Sequence, residues 1–394
     1  MDSFEVVVIG SGVAGGSTAY HLARQGTRVL VVERAARPAT EPVASWASAG
    51  GVRRQGRHPA EALLAIESIE RWPTLEAELE AEMGYQQGGN LKVGEGDAED
   101  ALIEAFVREQ HANGFADVRL LDRREALAVA PCLSDTVTSA SYSLQDGQAD
   151  PPLTTRAFAA TAERHGAVYW TDCATLGLVA EGGRVVGVRT TRGDVRADVV
   201  VLAAGAWSDE LARTVGAELP IRTRALQMLL TTPAPLGTLR PVLGATGRQL
   251  SLKQLKSGEL MLGGGWPGIP SEDRRSYTMV ESSVAGGVAA AVAIVPAVGQ
   301  QQIARRWCGL EAESFDGIPF IGPLPGIEGL IVACGFTGHG FAISPAVGRC
   351  VADQIAGRPT PELVGLDPSR IATFDAAKVA EFVREPVAQG VVAG

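Results

Sequence analysis

Two apolar runs lie near the start of the chain, Val6-Val7-Val8-Ile9 and Val29-Leu30-Val31-Val32, and neither alternates with polar residues. Unbroken runs of this length predict strands buried on both faces, as in a parallel sheet covered by helices. Between them Ala19, Leu22 and Ala23 recur at helical spacing, and Gly26 stops that helix. Ala197 to Ala203 and Leu330 to Ala333 predict two more strands of the same buried kind. From Arg222 to Leu230, Gln249 to Leu255 and Leu260 to Leu262 the pattern alternates instead, which predicts a mostly antiparallel sheet.

The intervening stretches predict helices. One opens at His58-Pro59 and runs to about Glu82, with Leu63, Leu64, Ile66, Ile69 and Trp72 on its apolar side and Pro73 kinking or interrupting it. Others cover Ala101 to Asn113, Arg123 to Ala130, Leu153 to His165, Leu211 to Val215, Val284 to Val295 and Ser344 to Ile355. Short strands fall at Asn90 to Val93, Val168 to Trp170, Ala174 to Val179 and Val185 to Thr191, the last two joined at Gly182-Gly183. The order predicts an α/β protein of two domains, the second α+β with a mixed, largely antiparallel sheet. A discontinuous nucleotide-binding domain takes 1–84, 146–215 and 305–394, and a second domain takes 85–145 and 216–304.

Composition narrows the function classes. At 394 residues, 46% hydrophobic and 20% charged, the chain is globular and large enough for two cores. Its net charge of −10, with acidic and basic residues interspersed, argues against nucleic acid or an anionic membrane as partner. No apolar run reaches the ~18–20 residues of a membrane span. The first strand begins close to Met1, so no signal peptide is expected, and the protein is expected in the cytoplasm. Cys132, Cys173, Cys308, Cys334 and Cys350 lack metal-ligand spacing and read as reduced thiols; no metal site is expected.

The chemistry begins where the first buried strand ends. Gly10-Ser11-Gly12-Val13-Ala14-Gly15 is a complete G-x-G-x-x-G between strand and helix, with Glu33 closing the second strand. Gly10 makes the tight turn, Gly12 lets a diphosphate approach the backbone, and Gly15 lets helix and strand pack closely. The helix N-terminus offers N–H groups and partial positive charge, and Glu33 can accept ribose hydroxyls. The small residues from Ser45 to Val52, ahead of Arg53 and Arg54, let a ligand lie against the backbone. Gly335-Phe336-Thr337-Gly338-His339-Gly340 forms a second glycine-rich junction from strand to helix.

Taken with Ser48-Ala49-Gly50-Gly51-Val52-Arg53, Asp146-Gly147, Ala203-Ala204-Gly205-Ala206-Trp207 and Asp316-Gly317-Ile318-Pro319, these motifs give the chain a resemblance to the D-amino-acid oxidase superfamily of flavoproteins. It is similar to the glycine/sarcosine oxidase branch, which includes opine and hydroxyproline dehydrogenase subunits. The resemblance spans nearly the whole chain. It implies FAD, with the adenine end held by Gly10, Ser11, Gly12, Val13, Ala14, Gly15, Glu33 and Arg34, and with Thr175, Ala204, Gly205 and Trp207 alongside. The flavin ring would lie near Ser48, Ala49, Gly50, Gly51 and Arg53, with Gly335, Gly338, His339, Gly340, Phe341 and Ala342 at its pyrimidine edge. The implied reaction oxidises a C–N bond of an amine or amino acid, and the electron acceptor would be a quinone, a partner subunit or oxygen.

The departures from the family bear on substrate. Glu311 stands where glycine oxidases place an arginine that pairs with the substrate carboxylate. Ala342 replaces a lysine, and Gly338 a second arginine. Arg53, Arg54, Arg222, Arg224, Arg248 and Lys253 remain as cations that could bind a carboxylate. Glu311, Met261, Arg53 and His339 are the residues expected at the chemistry. Cys308 lies eight residues before Asp316, one position off that of a cysteine thioether to flavin, so FAD is expected to be non-covalent. Met261 takes the place of a lysine that favours reaction with oxygen, so a dehydrogenase is expected. Three other readings stay open: a sarcosine/glycine oxidase-type enzyme using oxygen, a nicotinamide-dependent dehydrogenase, and an electron-relaying or non-catalytic subunit of a hetero-oligomer.

Overall fold

The computed structural model describes residues 2–384; the expected nucleotide-binding segment runs on through 385–394, which lie outside the described residues. The apolar runs are parallel strands of one sheet. Ser3–Ile9 pairs with Val29–Val32 on one side and with Gly193–Leu202 on the other, and Leu330–Cys334 and Val168–Trp170 extend the parallel order outward. Alternate residues of the same run serve two cores, which is why no polar residue interrupts it. Val6, Val8, Val29 and Val31 pack under helices Val13–Arg24, Ala62–Glu78, Pro151–Arg164 and Gly340–Ile355. Val7, Ile9, Leu30 and Val32 face the hairpin Thr175–Glu181/Arg184–Thr190 and the short helix Ser208–Arg213.

The second sheet is mixed. Among the described residues its one parallel strand pair joins Val242–Ala245 to Asn90–Gly94, and its other strand pairings are antiparallel. Helices Arg123–Val129 and Glu281–Ile294 cover one face with Leu91, Leu229, Leu252, Leu262 and Ile294 between them. The strand Ile303–Ser314, expected at the start of the chain's return to the first domain, pairs over its whole length with Ile221–Pro233. It therefore belongs by hydrogen bonding to the second sheet, while Leu310 N donates to Pro42 O at 2.7 Å and ties it to the first domain.

One expectation fails on helix continuity. Pro73 lies inside helix Ala62–Glu78 and does not interrupt it. Trp72 and Leu75 on either side are fully buried, and Trp72 Nε1 donates to Ala342 O at 2.8 Å. Burial of that face outweighs one missing backbone bond.

Candidate active site

The glycine turn is built as its spacing requires. Gly10 has φ of +94°, and a Cβ there would sit 2.6 Å from Ala203 O; a Cβ on Gly15 would sit 2.1 Å from Gly10 O. Strand end, helix start and the Ala203-Ala204 turn thus touch backbone to backbone. Helix Val13–Arg24 begins at Gly12 with no side-chain cap, and Val13 N donates to Ser45 Oγ at 2.9 Å. The Glu33 carboxylate accepts Ser11 N and Ala35 N, each at 2.9 Å, and so stands at the rim of the turn. The Arg34 guanidinium lies 3.6 Å from the Trp207 ring centroid. Ser11 Oγ, Thr175 Oγ1 and Trp207 Nε1 are buried without a hydrogen-bond partner. Buried polar atoms in native proteins have partners, and a dinucleotide's phosphates and ribose are of the chemistry these lack. The residues fit FAD.

The small-residue stretch continues this cradle. Gly50 has φ of +70°, and a Cβ would sit 2.1 Å from Ala149 O. Gly51-Val52 pairs with Gly147-Gln148. Behind it Arg54 N donates to Asp146 Oδ1, and burial pushes that carboxyl up to about 6. Arg53 donates to Gln55 O at 3.0 Å, and burial holds its guanidinium below the usual range. Arg57 and Glu61 were missed from the sequence because His58-Pro59-Ala60-Glu61 read only as a helix start. Both are buried. Arg57 donates to Arg53 O and to His339 O, while Glu61 lies 3.5 Å from His339 Nδ1. Burial pushes Glu61 up, but His339, Arg57 and Arg53 together hold it below its ordinary value. Burial lowers His339.

At the second junction Gly335 and Gly338 have φ of +72° and +79°, and a Cβ on Gly340 would strike the Phe336 ring. Phe341 and Ala342 are buried, Phe341 in the core against Trp72 at 5.2 Å between ring centroids, and their backbone N–H groups lie in the first turn of helix Gly340–Ile355. Gly338 N donates to the Glu311 carboxylate. Burial pushes Glu311 up to about 7, against the pull of Gly338 N–H and Arg224.

Register sorts the second sheet into faces, because residues paired across antiparallel strands point to the same side. Leu230 is paired with Arg305 and with Met261, and Met261 with Lys253, so these four form one rung. Met228 and Trp307 stand on the neighbouring rung, and Glu311 with Arg224 farther along the same face. This face packs on Ala47 and Ala49, with Trp307 Nε1 donating to Ala47 O at 3.0 Å. Cys308 points the other way, fully buried, its Sγ 3.4 Å from Met279 Sδ. Of the expected cations, Arg248 pairs with Glu95, Arg54 with Asp117, and Arg222 and Arg224 with Glu313. Elsewhere Glu67, Cys350 and Glu362 converge, but Arg349 already pairs with both carboxylates at 2.6 and 2.8 Å.

The family model described as DAO, FAD dependent oxidoreductase, matches residues 5–354. The chain belongs to this family. It is 32% identical over 369 residues to a glycine oxidase of Pseudomonas aeruginosa, covering 90% of this chain and 96% of the relative. It is 28% identical to the sarcosine oxidase subunit beta of an Arthrobacter species, covering 90% of this chain and 87% of the relative. The solved structure of an L-proline dehydrogenase from P. horikoshii superposes with a TM-score of 0.87 at 28% identity, over 94% of this chain and 98% of that one. This DAO-family chain is therefore an FAD-dependent oxidoreductase. Among the described residues no helix is long and apolar enough to cross a membrane.

Proposed function

We propose that this DAO-family chain oxidises a C–N bond of an amino acid, imino acid or amine. The observation that carries the reading is the sheet face bearing Glu311, Met261 and Lys253, which packs on the stretch expected to hold the flavin. FAD, when bound, supplies the two-electron oxidant that takes a hydride from the carbon beside nitrogen. Gly10 to Gly15 and Glu33 would hold the diphosphate and ribose, with Arg34, Thr175, Ala204, Gly205 and Trp207 beside the adenosine. Ser48 to Gly51 and the backbone of Gly338 to Ala342 would bound the ring. The reading divides the chain into a flavin domain of 1–84, 146–215 and 305–394 and a substrate domain of 85–145 and 216–304. Ile303–Ser314 is the strand they share.

An amine must shed its proton before its carbon can lose hydride. Glu311, pushed up to about 7, is about half ionised at neutral pH, and its ionised form can take that proton. Its place at Gly338 suits a cationic nitrogen, which an arginine there would repel. His339, its Nδ1 3.5 Å from the buried Glu61 carboxylate but not hydrogen-bonded to it, can offer a ring nitrogen to substrate. The sequence argument for a dehydrogenase rested on neutral Met261. Lys253, paired with it and facing the same side, removes that ground, because an ammonium already stands on the rung. A second reading, as one subunit of a hetero-oligomer, draws support from the relative named as a subunit.

Anaerobic mixing of the purified yellow protein with a panel of amino acids and amines tests the proposal. Bleaching of the flavin band by the lone chain supports it. No bleaching by any C–N compound, with reduction by a hydroxy acid instead, would sink it.

A further inference from the structure

We propose that Arg224 grips the substrate's carboxylate beside Glu311, which makes α-amino and α-imino acids, not simple amines, the preferred substrates; this rests on the functional reading above. Arg224 and Glu311 are paired across the antiparallel strands Ile221–Pro233 and Ile303–Ser314, so both side chains leave the same face of the sheet. Yet among the described residues they form no ion pair with each other. Glu311 turns its carboxylate to Gly338 N, and Arg224, 7% exposed, uses Nη1 on Glu313 Oε1 at 3.1 Å. Glu313 is shared, its other oxygen taking Arg222 Nε at the shorter distance of 2.6 Å. Arg224 Nε is buried without a partner, and Nε with Nη2 forms the side-on fork that matches the two oxygens of a carboxylate. A buried cation and a buried acid that face each other unpaired are costly, and they persist where a ligand completes both.

A zwitterion fits this pair. An α-amino acid carries its nitrogen and its carboxylate on one carbon, so the molecule that meets Glu311 brings its carboxylate to the guanidinium alongside. A simple amine would leave the Arg224 fork empty. The two charges already act on each other, since Arg224 draws Glu311 down against the push of burial. Most other cations stand elsewhere. Lys253 lies three strands across from Glu311 and six residues along, and Arg305 six residues along the same strand, about 20 Å away at the rise of a strand. Arg54 and Arg248 pair with Asp117 and Glu95. Arg53, which borders the small-residue stretch and donates to Gln55 O, is the rival anchor.

The test titrates propanoate and propanamide into the flavin-loaded protein and reads the flavin difference spectrum. Wild type should prefer propanoate, and that affinity should fall roughly 10-fold as pH rises through about 7, where Glu311 ionises beside the bound carboxylate. This titration needs no variant, so it stands even if substitutions at Arg224 fail to fold. Arg224→Lys keeps a charge for Glu313 but loses the fork, and should weaken propanoate roughly 10-fold; Arg224→Gln should weaken it roughly 100-fold. Propanamide affinity and FAD content should hold in both. Propanoate affinity that is flat with pH, or unchanged in both variants, would overturn the proposal. So would an equal loss of propanamide, or transfer of the effect to Arg53→Lys. Arg224-dependent propanoate binding without flavin bleaching by any amino acid would instead defeat the functional reading alone. Equal bleaching by amino acids and their decarboxylated amines would defeat the anchor alone.

Discussion

Because Ser11 N and Ala35 N each take one carboxylate oxygen of Glu33, the side chain is held at the glycine turn with lone pairs still free for ribose hydroxyls. Glu33→Ala should therefore weaken FAD by about 1.5–3 kcal/mol per charge-assisted bond lost, read as a rise in the FAD dissociation constant. An unchanged constant would mean that Glu33 serves only its own loop. Another residue predicts a pH profile. Glu311, raised by burial to about 7, must be ionised to accept the ammonium proton, so kcat/KM should climb as pH rises through about 7. Glu311→Gln should remove this acidic limb. A limb that persists in that variant would belong to other groups, His339 among them.

Strand register carries the next expectation. Cys308 faces the side of its strand away from the small-residue stretch, with burial pushing its thiol up to about 12, so it is not nucleophilic. Acid precipitation should release all the flavin as free FAD, and flavin retained on the polypeptide would contradict this. Helix Ala62–Glu78 offers a stability test. Pro73 is exposed while Trp72 and Leu75 of the same helix are buried, so Pro73→Ala restores a helical N–H without disturbing the core. Its unfolding midpoint should rise, by about 1 kcal/mol or more of stability. Gly15→Ala works in the opposite direction. Its Cβ would meet Gly10 O at 2.1 Å, a backbone contact that cannot yield, and the variant should lose FAD, soluble yield or both.

For the molecule as a whole, cofactor and stability are linked. FAD would touch the glycine turn, the small-residue stretch and the second junction, which are far apart in sequence and meet only in the folded chain. Added FAD should raise the unfolding midpoint of flavin-stripped protein, by about 2.7 kcal/mol of stability at a hundredfold excess over the dissociation constant. A midpoint indifferent to FAD would mean that the site does not assemble these segments. Thermal unfolding followed by tryptophan fluorescence reads this directly.

Local order was legible where one residue type has a single physical use. The parallel strands followed from unbroken apolar runs, and the glycine turn followed from contacts that leave no room for a Cβ. The direction in which Cys308 faces was also readable, since a one-residue shift along a strand changes sides. Charge at the active site was not legible. Six cations were equivalent in sequence, and only the fold paired four of them with Asp117, Glu313 and Glu95 while leaving Lys253 buried without a carboxylate. Arg57 and Glu61 lay unnoticed in a helix start until the chain brought His339 to them across nearly three hundred residues. Pairing across strands and burial of charge depend on distance in space, and no local pattern in the chain encodes that distance.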